Sequence, residues 1–287
     1  MIAALSVAPV SREKILTTAR LLPAAPQVLA GLCELLQDVN SDLDQVANQI
    51  RVDSSLSARV IRISNSPTYG GGLRIGSVDE AVNRVGFGEI LRLVGIATVA
   101  GLADRSLNFY GIGAERMRES LLLHALASEA LAQRVDVDPR LAYSGGLLRA
   151  LGMMVLDRVA RERTPAPDAY DGQRFPTYGE WENTAFGLTN TEVTTTVLDQ
   201  WRFAPELVTA LQEHLLTRET GYDDRMACVL HLAGAVVAKA GLALPGDEAS
   251  WALTNNKFSA LGLDLAALNE VAAQVGVLFD RQRAAFC

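Results

Sequence analysis

The chain is poor in the residues that build disulfide frameworks. It has three cysteines among its 287 residues, Cys33, Cys228 and Cys287, and no pair of them stands in a Cys-x-x-Cys spacing. An odd number of scattered cysteines provides no disulfide framework, and such chains are typical of reducing compartments. The cysteine pattern therefore predicts a cytoplasmic protein.

The chain also lacks an apolar run long enough to cross a bilayer, which takes about 20 residues. Its longest apolar stretch around 90–103 is interrupted by Arg92, and the one around 226–244 by His231 and Lys239. Both stretches are more typical of buried helices than of membrane spans. The apolar start has no basic residue of the kind that begins a signal peptide. The net charge of −7 argues against general attraction to nucleic acid or anionic membranes, although it leaves room for a local basic patch.

No glycine-rich stretch forms a phosphate-binding or nucleophile motif. The run 70–72 lacks the Lys-Ser/Thr of a Walker motif, and Ser144-Gly-Gly146 lacks the Gly-x-Ser-x-Gly frame of a nucleophile elbow. The composition, 49% hydrophobic and 21% charged, is that of an ordinary globular protein.

Strand alternation is nearly absent, whereas apolar residues recur at helical spacing along most of the chain. This pattern predicts an all-α fold. Pro and Gly residues between Arg163 and Trp181 predict a long loop there. The predicted helices include Leu43–Ile50, Ser54–Ser64, a helix from Ser77, Met117–Val135, Leu141–Val159, Thr191–Gln200, Pro205–Leu216, Asp224–Ala240 and Leu263–Arg283.

Polar residues at the predicted helix starts provide caps. Asp42 and Asp53 precede two of the helices and can accept hydrogen bonds from their first free amides. Ser77 and Glu80 fit a capping box, in which a Ser and a Glu three residues on satisfy each other's backbone amides. Gly86 is the predicted C-terminal stop of that helix.

Four short motifs occur in order along the first part of the chain: Leu22-Pro-Ala-Ala-Pro26, Asp53-x-x-Leu56-x-x-Arg59, Asn65-Ser66, and the capped helix at Ser77 with Val85-Gly86. With these motifs, about two thirds of the chain, roughly residues 20–216, resembles the HDOD family. These are bacterial signalling domains related to the HD superfamily of metal-dependent phosphohydrolases. The resemblance implies an HDOD-type multi-helical bundle: an N-terminal helical half over 14–104, a degenerate HD-like half over 105–240, and a C-terminal helical extension over 241–287.

The same resemblance implies that the HD metal site is missing. HD enzymes use a His, an adjacent His-Asp pair, often further His residues, and a late Asp. In this chain His124 matches the first ligand position and His214 a later His position. Arg149 and Ala150 replace the His-Asp pair. Asn190 stands where a His is common, and Gly234 occupies the place of the late Asp. Because a guanidinium offers no lone pair to a metal, no catalytic residue, metal or other cofactor is expected.

The ligand candidates of this relic cleft are His124, Arg149, Asn190 and His214. The histidines, with His231, could hold a residual metal, but we favour hydrogen-bonded imidazoles because Arg149 would oppose a cation. Arg149 itself could bind a phosphate with its donor fork. Alternatively it could pair with an internal carboxylate such as Asp157 or Glu192, which is the interpretation we favour.

The resemblance thus implies a non-catalytic regulatory module of bacterial signal transduction, acting through protein–protein contacts or by sensing a small ligand in the relic cleft. Its output would pass to an unidentified signalling partner such as a kinase, a nucleotide cyclase or a transcription factor. Two alternatives stay open: a cryptic nucleotide-binding or phosphohydrolase protein, and a nucleic-acid adaptor. The adaptor would use Arg51, Arg59 and Arg62 on a helix pair similar to a helix-turn-helix.

Overall fold

The computed structural model describes residues 9–22, 25–37, 41–69, 74–86 and 89–283. These residues are predominantly helical and contain no strand, which confirms the all-α prediction. The glycine run 70–72, Pro23 and Cys287 lie outside them. The helices are α1 (Arg12–Ala19), α2 (Ala25–Gln37), α3 (Leu43–Arg51), α4 (Ser54–Ser64), α5 (Val78–Val85), α6 (Ile90–Leu102), α7 (Ala114–Ala132), α8 (Pro139–Leu148), α9 (Leu151–Glu162), α10 (Tyr178–Phe186), α11 (Asn190–Gln200), α12 (Pro205–Glu213), α13 (Arg225–Lys239), α14 (Asn255–Ser259) and α15 (Leu265–Arg283).

Helix α7 is the central element of the bundle. It packs against α8, α13 and α15, while α12 lies between α11 and α13, and α9 lies on α11. In the N-terminal part, α6 is covered by α2 and α4 and also touches α7 and α8. Helices α6 and α13 are buried on nearly all sides, which explains why their sequences read as long apolar runs. Within the described residues, no helix has the length and apolar character needed to traverse a membrane.

The predicted caps are largely present. Asp42 accepts a hydrogen bond from the amide of Gln45 at 2.8 Å, and Asp53 caps α4 in the same way. Ser77 Oγ accepts from the amide of Glu80 at 3.1 Å. The predicted reciprocal box is wrong, because the Glu80 carboxylate reaches one residue further back and accepts from the amide of Gly76 at 2.6 Å. Helix α5 ends at Gly86 with φ of +79°, as predicted.

The Asn65 side chain of the resemblance motif has a structural role. Its Oδ1 accepts from the amide of Ile75 at 2.9 Å, and its Nδ2 donates to the carbonyls of Ile75 at 3.0 Å and Ile61 at 2.8 Å. The side chain therefore ties the C-terminal end of α4 to the segment that leads into α5.

The prediction of one continuous helix over Leu141–Val159 is wrong. Helix α8 ends at Leu148 and α9 begins at Leu151, with Arg149 and Ala150 forming a bend between them. The cause lies in α11: Thr194 Oγ1 accepts from the amide of Gly152 at 2.9 Å and lies 3.4 Å from the carbonyl of Arg149, to which it donates. A hydroxyl inserted into the hydrogen-bond ladder is a recognised cause of helix kinks.

The predicted loop over Arg163–Trp181 is too long, since α10 already begins at Tyr178. Thr177 caps this helix, its Oγ1 accepting from the amide of Glu180 at 3.4 Å. Tyr178 and Trp181 are buried, and both pack edge-on against Tyr110, at ring distances of 5.1 and 4.8 Å. Packing against residues distant in sequence thus forms a helix in a stretch whose local composition favours a loop. The remaining predicted helices differ from the observed ones at their ends.

Candidate functional site

Three helices bring the three histidines into one buried cluster. His124 lies in the middle of α7, His214 is the C-cap of α12, and His231 lies in α13. His124 Nε2 is 2.9 Å from the carbonyl of Leu230, His214 Nδ1 is 2.6 Å from that of Leu211, and His231 Nδ1 is 3.0 Å from that of His214. A carbonyl only accepts hydrogen bonds, so each of these ring nitrogens carries the proton.

Burial makes these imidazoles poor bases. It lowers the pKa of His214 to about 3 and that of His231 to about 4. The pKa of His124 is held well below its ordinary value by burial and, next, by the charge of Arg149. All three rings are therefore neutral at pH 7, as a buried imidazole next to a cation must be.

The indole of Trp251 lies in the middle of this cluster. Its ring centroid is 5.5 Å from that of His124, 5.9 Å from His214 and 5.6 Å from His231. The guanidinium carbon of Arg149 lies 5.2 Å from the same ring, in cation–π geometry. Trp251 is 3% exposed and belongs to the 3-10 turn Glu248–Trp251, so a segment from beyond α13 fills the space between the three histidines.

Gly234 in α13 makes room for this indole. A Cβ atom at this position would overlap the six-membered ring of Trp251. Position 234, which the resemblance matches with the late Asp, therefore cannot carry a carboxylate while the indole is in place.

Arg149 forms an internal ion pair, but not with either predicted partner. Its Nη1 donates to Asp247 Oδ2 at 2.8 Å, and Nη2 lies 3.4 Å from Ser120 Oγ. The proposed partners are engaged elsewhere: Asp157 accepts from Arg161 and from the Phe109 amide, and Glu192 caps α11 in a box with Thr189. Asp247 is 98 residues from Arg149 in sequence, outside the reach of helical spacing rules.

Asn190 belongs to a second polar cluster. Its backbone amide donates to Glu182 Oε2 at 2.7 Å, and its Nδ2 lies 2.9 Å from Oε1 of the same carboxyl. The hydroxyl of Tyr110 donates to Glu182 at 2.7 Å. Burial raises the pKa of Glu182 to about 7, although these hydrogen bonds act in the opposite direction. Sequence analysis found neither Glu182 nor Trp251, because neither stands in a recognisable motif.

The donor set does not fit the metal that the HD superfamily implies. In the part of the chain that the structure describes, no group of three His, Cys, Asp or Glu side chains is placed to hold an ion. The two positions that the resemblance matches with the His-Asp pair hold the cation of Arg149 and the methyl group of Ala150. A divalent ion about 4 Å from a guanidinium would be repelled by about 8 kcal/mol at an effective dielectric of about 20.

The arginines considered for nucleic-acid binding do not share a free face. Arg51 pairs with Asp79, and the guanidinium of Arg59 lies against Gly101 of α6. Arg62 is exposed. A DNA-recognition helix directs several unpaired side chains into the major groove. The observed arrangement of these three arginines therefore gives the nucleic-acid alternative no support.

Comparison with known proteins finds a family match and a shared fold. The model of the HDOD domain matches residues 22–216. No curated protein matches the chain. A provisionally assigned signal transduction protein from Marinobacter aquaeolei is 21% identical at a TM-score of 0.69, over 92% of this chain and 58% of that chain.

Two further solved structures span nearly the whole of both chains. An HDOD domain protein with unknown function from Geobacter sulfurreducens is 20% identical at a TM-score of 0.63, over 96% of this chain and 98% of its own. A provisionally assigned phosphohydrolase from Shewanella amazonensis is 22% identical at a TM-score of 0.59, over 95% and 97%. At these identities the likeness establishes the fold.

Proposed function

Because this chain belongs to the HDOD domain family, we propose that it is a non-catalytic regulatory module of bacterial signal transduction. The observation that carries this proposal is the position of Trp251, which fills the space between the three histidines where an HD enzyme would hold its metal. The module acts through contacts with a separate signalling protein or by sensing a small ligand in the relic cleft.

The chemistry of the cleft supports a role other than hydrolysis. Metal-assisted hydrolysis needs an open coordination position at which a water molecule loses a proton. Here an indole covers the imidazoles, and Arg149 is paired with Asp247, so that the two charges neutralise each other. An occupied cleft with paired charges supports a role other than metal-assisted hydrolysis.

Elemental analysis of tag-free, dialysed protein tests this proposal, together with hydrolysis of a generic phosphodiester with added Mn²⁺, Mg²⁺ or Zn²⁺. We expect no stoichiometric transition metal and no turnover. Close to one Zn, Mn or Fe per chain, lost when His124 and His214 are both replaced by Gln in a folded variant, would refute the non-catalytic assignment. The exposed substitution Glu13→Gln serves as the control for handling.

Chemical crosslinking and capture from the native cell tests the regulatory role. A kinase, a nucleotide cyclase or a transcription factor is the expected class of partner, because a non-catalytic regulatory module acts by changing the activity of another protein. Reproducible recovery of a metabolic enzyme complex in place of any signalling protein would contradict the proposal.

A further inference from the structure

The residues around Trp251 leave buried polar atoms without hydrogen bonds. Among the residues that the structure describes, Arg149 Nε, His124 Nδ1 and Trp251 Nε1 find no hydrogen-bond partner, although all three side chains are almost fully buried. An unsatisfied buried polar atom destabilises the folded state. The indole fills the volume of the cleft, but it does not satisfy the polar groups that line it.

The segment that fills the cleft presents two chemical groups to it. Residues 244–251, here called the plug segment, place the Asp247 carboxylate on Arg149 and the Trp251 ring beneath the same guanidinium. The segment contains one short 3-10 turn, a form with weaker hydrogen-bond geometry than an α-helix.

Backbone contacts hold the chain on either side of the plug segment. Arg116 Nε donates to the carbonyl of Ala243 at 3.2 Å, and Lys257 Nζ donates to that of Ala252 at 2.6 Å. Within the segment the amide of Tyr178 donates to the carbonyl of Gly246 at 3.4 Å, and Asp247 and Trp251 hold it to Arg149 through their side chains. The contacts of Ala243 and Ala252 lie outside residues 244–251, so they do not depend on the position of the middle of the segment.

We infer that the plug segment occupies the binding site of a small aromatic acid, whose anionic group takes the place of Asp247 on Arg149 and whose ring takes the place of Trp251. A carboxylate or phosphate can accept from two N–H groups of a guanidinium at once, for example those of Nη1 and Nη2. Asp247 accepts from Nη1 at 2.8 Å, whereas Nη2 lies 3.4 Å from Ser120 Oγ. His124 Nδ1 is an acceptor, because Nε2 carries the proton. The ligand therefore also carries an N–H or O–H donor.

This inference rests on the proposed function, since it takes the relic cleft to be a sensory site. Displacement of the plug segment would change the surface beyond the C-terminal end of α13, where Leu253 is exposed. A partner that contacts this surface would then respond to the ligand.

Calorimetric titration of the full chain tests the inference. The probes are indole-3-acetate and guanosine monophosphate, with indole and inorganic phosphate as the two half-ligands. Asp247→Asn keeps the size of the side chain but removes the competing charge. We expect it to bind one of the two acids about tenfold more tightly than the wild type, the lower range for a charge-assisted hydrogen bond.

Two further variants make the result specific. Arg149→Met in the Asp247→Asn background should abolish binding of the acid. Glu248→Gln is the matched control, because it makes the same charge change on an exposed residue of the same turn and should bind like the wild type. Each half-ligand should bind more weakly than the acid that joins both groups.

Hydrogen exchange on the wild-type chain gives a second readout that needs no variant to fold. Saturation with the acid should speed amide exchange in residues 244–251 and leave the middle of α13 unchanged. In the titrations, the inference is overturned if folded Asp247→Asn binds neither acid at about 5 mM, or if binding of the acid survives Arg149→Met. It is also overturned if inorganic phosphate binds as tightly as the acid. In the exchange experiment, an unchanged exchange rate in residues 244–251 overturns it. None of these outcomes alters metal content or phosphodiester hydrolysis, so the proposed function is judged separately.

Discussion

The ion pair between Arg149 and Asp247 should contribute strongly to stability, because both partners are largely out of solvent. Their side chains are 4% and 12% exposed, and Nη1 lies 2.8 Å from Oδ2. Removing one member of such a pair leaves the other charge buried without compensation, at a cost of about 3–5 kcal/mol. Arg149→Ala should therefore lower the free energy of unfolding by about that amount.

The double-mutant cycle separates the pair from the packing around it. Arg149→Ala also loses the contact with the Trp251 ring, which contributes about 1–2 kcal/mol at a desolvated site. Asp247→Asn leaves that contact in place. Because neither charge remains in the double variant, its loss should be smaller than the sum of the two single losses by about 1–3 kcal/mol.

Urea unfolding followed by circular dichroism at one pH measures all four proteins of the cycle. The control is Arg134→Ala, which breaks a more exposed pair with Glu270 and should cost at most about 1 kcal/mol. The reasoning fails if Arg149→Ala costs no more than Arg134→Ala. It also fails if the two single losses in the cycle are additive.

Three further predictions follow from the structure. Ser77→Ala removes the observed cap of α5 and should cost about 1 kcal/mol; an unchanged denaturation midpoint would contradict that role. Gly234→Ala forces a Cβ atom against Trp251, so it should cost about 1–3 kcal/mol and shift tryptophan fluorescence, whereas an unaltered spectrum would place the indole elsewhere. His214 and His231 have folded pKa values of about 3 and about 4, below the ordinary 6.5; their neutral burial therefore contributes stability that is complete above pH 6.5 and is lost as the pH falls towards those values. Between pH 6.5 and pH 4, protonation of each of these histidines in the unfolded state should lower the free energy of unfolding by up to about 1.4 kcal/mol per pH unit. A urea midpoint independent of pH in this range would exclude the burial of neutral imidazoles.

Residue types alone allowed part of the candidate site to be predicted. Arg149, Ala150 and Gly234 led to the expectation that the HD ligand set is incomplete, which stays a prediction, and the bundle places His124, His214 and Arg149 around one ring. Asn190, expected in the same cleft, instead binds Glu182. The division of the chain at residues 104 and 240, and its cytoplasmic location, stay predictions.

The sequence by itself determined the helical class, most helix positions and the caps at Asp42 and Asp53. Such features depend on interactions within about four residues along the chain, which spacing and side-chain type reveal directly. Family membership could be recognised for a similar reason, since the motifs are short and stand in a set order.

Tertiary structure alone decided what fills the cleft and how Arg149 is paired. Thr194 bends the chain at Arg149 from a different helix, and Asp247 and Trp251 arrive from about 100 residues further along the chain, as the separation of 98 between Arg149 and Asp247 shows. Contacts of this kind depend on which helical faces meet in the folded bundle. No local pattern encodes them, because the partners share no spacing in sequence and become neighbours only when the core forms.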